Sequence, residues 1–353
     1  MNHKNCNILF IVLVLVVLAI PIFTMNLLPD QVSTIENRKL AELPSLTRDL
    51  TVFMNGVDSY VDDRIGFRDT MMQLYNRWNY SILKGNHSKV ISGKDGWLFY
   101  QEELADYTGT NVVPAKTTGQ VQILTAIDQW CKDRGITFVL AIGPNKATIY
   151  DNHMPDSIYH APTSNLDMLL AALKETDVNV FCPKDALLAH RDDLELYFRQ
   201  DTHWNSYGSR YLLDEMVDSL GLPVYDISVT ESRTSAGDLL TMLGTGANEY
   251  TSLYTNVVYA EGAYTESIKA NHFTLHSPDT ASFVCYRDSY TIAMVGYYSY
   301  YFNGPVHWQY NIDFDNLEET RPQYLILSCV ERYLDPAINA NAGIVKRLAS
   351  ESN

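Results

Sequence analysis

Four patterns of apolar spacing succeed one another along the chain. From Ile8 to Leu28 no charged residue interrupts the apolar run, and Thr24 is the one polar residue before Asn26. About twenty helical residues match a bilayer core roughly 30 Å thick, so the run predicts a membrane-spanning helix. Residues 31–60 are polar. Phe67, Met71, Leu74, Tyr75, Trp78 and Ile82 then recur at three- and four-residue spacing, predicting an amphipathic helix. Next, "VISGKDGWLFY" (Val90 to Tyr100) sets two apolar runs around a Lys-Asp-Gly turn and predicts a hairpin.

From about residue 117 helix and strand periods alternate. Ile123, Leu124, Ile127, Trp130 and Cys131 form a helical stripe over residues 118–134, and Gly135 suits the position after its end. "ITFVLAIGP", "VNVFC", "ASFVCY" (281–286) and "QYLILSCV" (323–330) are continuously apolar, as strands buried on both faces are. A helix near Asn165–Glu175 and another from Asn205 or Ser206 to Gly221 separate them. This alternation predicts an α/β fold, a parallel sheet in a three-layer α/β/α arrangement, with ligands at the carboxyl ends of its strands. The expected organisation is residues 1–30 as cytoplasmic stub and signal-anchor, 31–115 as a juxtamembrane segment, and 116–345 as the catalytic domain.

Charge and composition narrow the partners. A net charge of −16 with no Lys/Arg cluster argues against nucleic acid. Lys4 and the amino terminus give a weakly positive start, and no A-x-A site follows the apolar run. An uncleaved anchor at the cell membrane is therefore expected, single-pass, with the rest of the chain extracytoplasmic. Cys6 precedes the anchor. Cys131, Cys182, Cys285 and Cys329 have no CxxC or Cys/His metal spacing and read as buried thiols.

Polar clusters stand where strands end: "GPNKATIY" after Gly143, "RQDTHWN" before a helix, and "YRDSYT" after Tyr286. Ser289 falls at a strand-to-helix turn, where its hydroxyl and the helix amides face one space. A serine needs a base, and the base needs an orienting group. In an extended segment Asp201 and His203 point the same way and can supply both. Spacing alone leaves other readings open. Asp288-Ser289 and Asp201-Thr202-His203-Trp204 are also good helix caps, and Asp201 with His203 could ligate a metal, although no third ligand stands at a telling spacing.

Beyond these two spots, the chain carries "ENRKLAELPSL", "YVDDRIGFRDTMMQLYNRW", "VISGKDGWLFY", "GPNKATIYDNHMP", "DTHWN", "GDLLTMLG", "RDSY" and "VERYL" in that order over roughly residues 35–335. In this combination it resembles the alginate O-acetyltransferase family, the SGNH-hydrolase-like proteins that acetylate exopolysaccharides. The resemblance implies a flavodoxin-like parallel sheet, Asp201 and His203 as orienter and base, Ser289 as nucleophile, and neither metal nor cofactor. It also implies a polysaccharide acceptor and a multi-pass membrane acyltransferase that supplies acetyl groups.

There are departures. Arg287 stands where the wider superfamily has the Gly of Gly-Asp-Ser, and its separate Gly and Asn blocks are not located. Asn145 is the candidate oxyanion or substrate donor. Lys146 and Arg287 are candidates either for holding a carboxylate or hydroxyl of the sugar or for structural ion pairs, and Tyr290, beside the nucleophile, for stacking on a sugar face. The same triad would equally serve a carbohydrate acetylesterase. A non-catalytic component of a polysaccharide modification complex is the alternative of a different class.

Overall fold

The computed structural model describes residues 3–25, 32–33, 38–78, 89–244, 250–269 and 271–351. The chain divides into two compact units: residues 1–90 with 238–248, and residues 91–237 with 249–353. Residues 91–115, grouped above with the juxtamembrane segment, thus belong to the unit that carries the sheet.

In the smaller unit the apolar run is helical over His3–Phe23, and Ile8 to Leu18 expose their side chains. Among the described residues no helix is long and apolar enough to cross a membrane. Residues 26–31, the end of the expected anchor, lie outside them. Asp49 caps the helix Leu50–Arg64, accepting from the amides of Thr51 (3.0 Å) and Val52 (3.2 Å). The amphipathic helix forms over Arg68–Trp78, but Phe67, Met71, Leu74, Tyr75 and Trp78 remain exposed. Ile82 lies outside the described residues.

The larger unit is built on a seven-stranded sheet. Its strands are β1 (Thr137–Gly143), β2 (Asn179–Phe181), β3 (Tyr264–Lys269), β4 (His272–His276), β5 (Ala281–Arg287), β6 (Phe302–His307) and β7 (Tyr324–Val330). The spatial order is β2-β1-β7-β5-β6-β4-β3. From β2 to β6 every pairing is parallel; β4 and β3 are added antiparallel at one edge.

The parallel part therefore runs 2-1-5-3-4 in chain order and departs from the flavodoxin-like 2-1-3-4-5. The last strand inserts between the first and the third. Its apolar run suits any central position, so its pattern could not reveal which one it takes.

Alternation of side chains across the pleat makes two cores. Phe138, Leu140 and Ile142 of β1 pack with Ile123, Leu124 and Ile127 of α1 (Pro114–Lys132) and with Leu166 and Leu169 of α2 (Asn165–Leu173). Val139 and Ala141 face the other way. They join Leu212 and Met216 of α3 (Ser206–Leu220) and Met294 of α4 (Ile292–Tyr298). Two helical layers thus enclose the sheet, as the three-layer expectation required. Cys131, Cys285 and Cys329 are buried, Cys182 is half-buried, and all four are free thiols.

The hairpin also forms, between Val90–Ser92 and Leu98–Tyr100. Its turn places Asp95 at φ 54° and Gly96 at φ 77°, left-handed conformations that Gly and Asp tolerate best. An antiparallel ribbon, Val229–Thr234 with Ser252–Val257, was not anticipated. Residues 229–234 are mostly exposed, so no core-facing stripe announces them.

Candidate active site

The two polar motifs meet above the carboxyl ends of the sheet. Residues 196–205 double back on themselves. Phe198 N donates to His203 O (3.1 Å) and Asn205 N to Leu196 O (3.0 Å), leaving Asp201-Thr202-His203 at the tip. Asn205 then starts α3, its side-chain oxygen accepting from Gly208 N at 3.0 Å. Asp201 and His203 are paired, though not through extended backbone. An Asx-type turn folds the segment, with Asp201 Oδ1 accepting from His203 N at 3.0 Å. The same oxygen lies 2.5 Å from His203 Nδ1. A carboxylate at Nδ1 fixes a proton there and makes Nε2 the basic nitrogen.

Ser289 follows β5 at once. Asp288 is the cap of the turn: its Oδ1 accepts from Tyr290 N (2.9 Å), and its Oδ2 from Val330 N (2.7 Å) and the Tyr310 hydroxyl (2.9 Å). The capping reading is therefore right for Asp288, and it leaves Ser289 half-buried beside the cap.

Two reciprocal hydrogen bonds join the motifs. Trp204 Nε1 donates to Tyr290 O (2.9 Å), and the Tyr290 hydroxyl donates to Thr202 O (2.5 Å). Gly143 at the end of β1 permits this packing. A Cβ there would stand 2.7 Å from Tyr290 Cδ1 and 3.2 Å from Trp204 Cη2. Eighty-six residues of sequence separation between Trp204 and Tyr290 are closed at this point.

Asp201, His203 and Ser289 line one cavity of about 450 Å³, together with Phe198, Tyr254, Val257, Ile292, Ala293 and Gly296. The cavity thus brings a hydroxyl, an imidazole and the carboxylate that orients it to one space.

The other candidates are placed differently. Tyr290 lines the cavity, but its hydroxyl is committed to Thr202, so it joins the two motifs and does not reach outward. Asn145, Lys146 and Arg287 are absent from the lining. Asn145 is buried, its amide group donating to Asp106 Oδ2 (3.0 Å) and its oxygen accepting from Arg332 N (3.2 Å). Lys146 is fully buried and donates to the carbonyls of Asp201 (2.6 Å), Phe198 (3.1 Å) and Arg199 (3.3 Å). Arg287 donates to Asp288 O (3.1 Å) and Asn271 O (2.9 Å) and lies 4.6 Å from the Trp308 ring centroid. All three serve the frame that holds the site.

Sequence reasoning missed the charged layer beneath this frame. Glu103, Asp106 and Glu331 are buried, and the covered side chain of Arg332 lies 3.5 Å from Glu103 Oε1 and 5.2 Å from the Tyr290 ring centroid. Burial raises the carboxyl groups of Glu103 and Asp106 above the usual range. Chiefly for the same reason Glu331 is pushed up to about 7, although Thr148 and the Asn145 amide donate to it. Charged residues inside "VERYL" and "YQEELADY" were the available signal.

The fold is that of an SGNH-hydrolase-like α/β protein. The chain belongs to the family described as "SGNH hydrolase-like domain, acetyltransferase AlgX", whose model matches residues 90–267, just over half of the chain. That match includes Asp201 and His203 and ends before Ser289. The chain is 24% identical over 206 residues to the probable alginate O-acetylase AlgJ of Pseudomonas aeruginosa, covering 53% of this chain and 49% of that protein. It is likewise 24% identical over 186 residues to AlgJ of Pseudomonas fluorescens. The chain thus spans about half the length of the curated relatives it matches. Among solved structures, the O-acetyltransferase domain of Pseudomonas putida AlgJ aligns with a TM-score of 0.52 at 16% identity, over 73% of this chain and 99% of that one. Bacillus cereus PatB1 aligns at 0.52 and 10% identity, over 69% of this chain and 96% of that one. These likenesses show the fold.

Proposed function

We propose that the protein is an O-acetyltransferase that moves an acetyl group onto a polysaccharide hydroxyl through Ser289, with His203 as base and Asp201 orienting it. One observation carries this reading: all three residues line one cavity, and Asp201 Oδ1 lies 2.5 Å from His203 Nδ1. Ser289 attacks the donor carbonyl and passes its proton to Nε2. The donor's leaving group departs with that proton, leaving acetyl-Ser289 and a neutral imidazole. The acceptor hydroxyl then gives its proton to Nε2 as its oxygen attacks the acetyl carbonyl, and Ser289 Oγ leaves and takes the proton back. Transfer prevails over hydrolysis when the acceptor excludes water. The stacked rings of Phe198 and Tyr254, 4.2 Å apart at the cavity edge, suit a sugar face.

The acetyl donor is a multi-pass membrane acyltransferase or its product, and the apolar segment from Ile8 keeps the protein beside it, outside the cytoplasm. The uncharged N-terminal run supports this placement.

The test is the intact mass of the full-length protein after exposure to an activated acetyl ester, beside Ser289→Ala and His203→Ala. Acetylation of the Ser289 peptide in the wild type alone is expected, with acetyl groups appearing on added candidate glycans. Equal labelling of all three proteins refutes the reading.

A further inference from the structure

Resting on that reading, we infer that the cavity holds a dedicated wall for the acyl chain, and that acyl groups longer than acetyl are accepted. Ser289, Ile292, Ala293 and Gly296 stand at positions i, i+3, i+4 and i+7, so they follow one face of the turn and of α4. All four line the cavity. At about 1.5 Å per residue this face runs about 10 Å from the nucleophile, much farther than the single carbon–carbon bond of an acetyl group.

Beyond Ser289 this face carries no polar side chain; the cavity's polar residues Asn205, Ser206, Thr255 and Asn256 belong to other elements. Ile292 is 54% exposed, an apolar side chain left facing open space beside the nucleophile. Val257 lies opposite. A Cβ on Gly296 would stand 2.5 Å from Val257 Cβ, so helix and strand meet there. Ile292, Ala293, Gly296 and Val257 offer no side-chain hydrogen bond. A sugar ring seated on them would leave its hydroxyls unpaired, which costs affinity. A short alkyl chain loses nothing there, and each buried methylene is worth about fourfold in binding.

The full-length protein is assayed with p-nitrophenyl acetate, butanoate and dodecanoate, with Ser289→Ala as blank. In each reaction the Ser289 Oγ–carbonyl bond forms, p-nitrophenolate leaves, and water later releases the carboxylic acid. Butanoate is expected to exceed acetate by about tenfold in kcat/KM, two methylenes being largely buried, and dodecanoate, too long for a face of about 10 Å, to fall below both. Ala293→Phe should bring the butanoate-to-acetate ratio to one or less. Ile292→Ser, at an exposed position that folding tolerates, should lower that ratio several-fold. If the wild type prefers acetate, or neither variant moves the ratio, the acyl wall is refuted while the proposed function stands. If no ester is turned over above the blank, both fall.

Discussion

Replacing Lys146 with Met tests whether a buried cation holds the Asp201–His203 turn in place. Met preserves the stem, which lies beside Trp97 and Phe99, the ammonium being 5.9 Å and 5.3 Å from their ring centroids. What disappears is the charge and its donation to the carbonyls of Phe198, Arg199 and Asp201. A hydrogen bond to a charged group contributes about 1.5–3 kcal/mol, so three give a gross loss of about 5–8 kcal/mol, the 3.3 Å bond to Arg199 being the weakest. Several kcal/mol return because the ammonium no longer has to be desolvated. The net expectation is about 3 kcal/mol, a substantial share of a typical stability of about 5–15 kcal/mol.

The assay pairs urea unfolding with ester kinetics. The midpoint should fall at constant slope. Because the lost bonds end on the turn that carries the proposed orienter and base, kcat should drop at least tenfold while KM for the ester changes less than twofold. An unchanged midpoint with kcat within twofold of wild type would refute the clamp. A lower midpoint with normal kcat would make Lys146 structural only.

Glu331 should weaken the fold as pH rises. Its native carboxyl titrates near 7 against 4.5 when unfolded, so the native state binds more protons between those values. Stability therefore declines from about pH 4.5 to pH 7, by up to roughly 3 kcal/mol, and Glu331→Gln should flatten that slope in urea titrations. Trp204→Phe keeps an aromatic ring but gives up part of the buried indole and strands the Tyr290 carbonyl. A loss of about 1 kcal/mol from the hydrogen bond, with a further cost from the space left, is expected in unfolding experiments, with a larger proportional fall in kcat. Gly143→Ala inserts a methyl 2.7 Å from Tyr290 Cδ1; overpacking of about 1–3 kcal/mol should appear as a lower Tm, and an unchanged Tm would show that the junction yields.

The elements of the large unit were legible because their physics is local. Continuous apolar runs marked β1, β5 and β7, and helical spacing marked α1 and α3. Asn205 and Gly221 marked the two ends of α3, Gly221 adopting the φ of 63° that ends a helix most readily in glycine. The polar motifs at strand ends were legible for the same reason.

Which strand lies beside which was not, because every central strand is apolar on both faces and the pattern is equally satisfied in any order. Nor could spacing show that Lys146 and Arg287 point into the frame. A cation beside a motif reads the same whether it meets a ligand or three main-chain carbonyls. Sequence alone determined the layers and put forward Asp201, His203 and Ser289 as candidates. Only tertiary structure brought Trp204 to Tyr290, and so His203 and Ser289 to one cavity, since that depends on contacts between segments far apart in the chain.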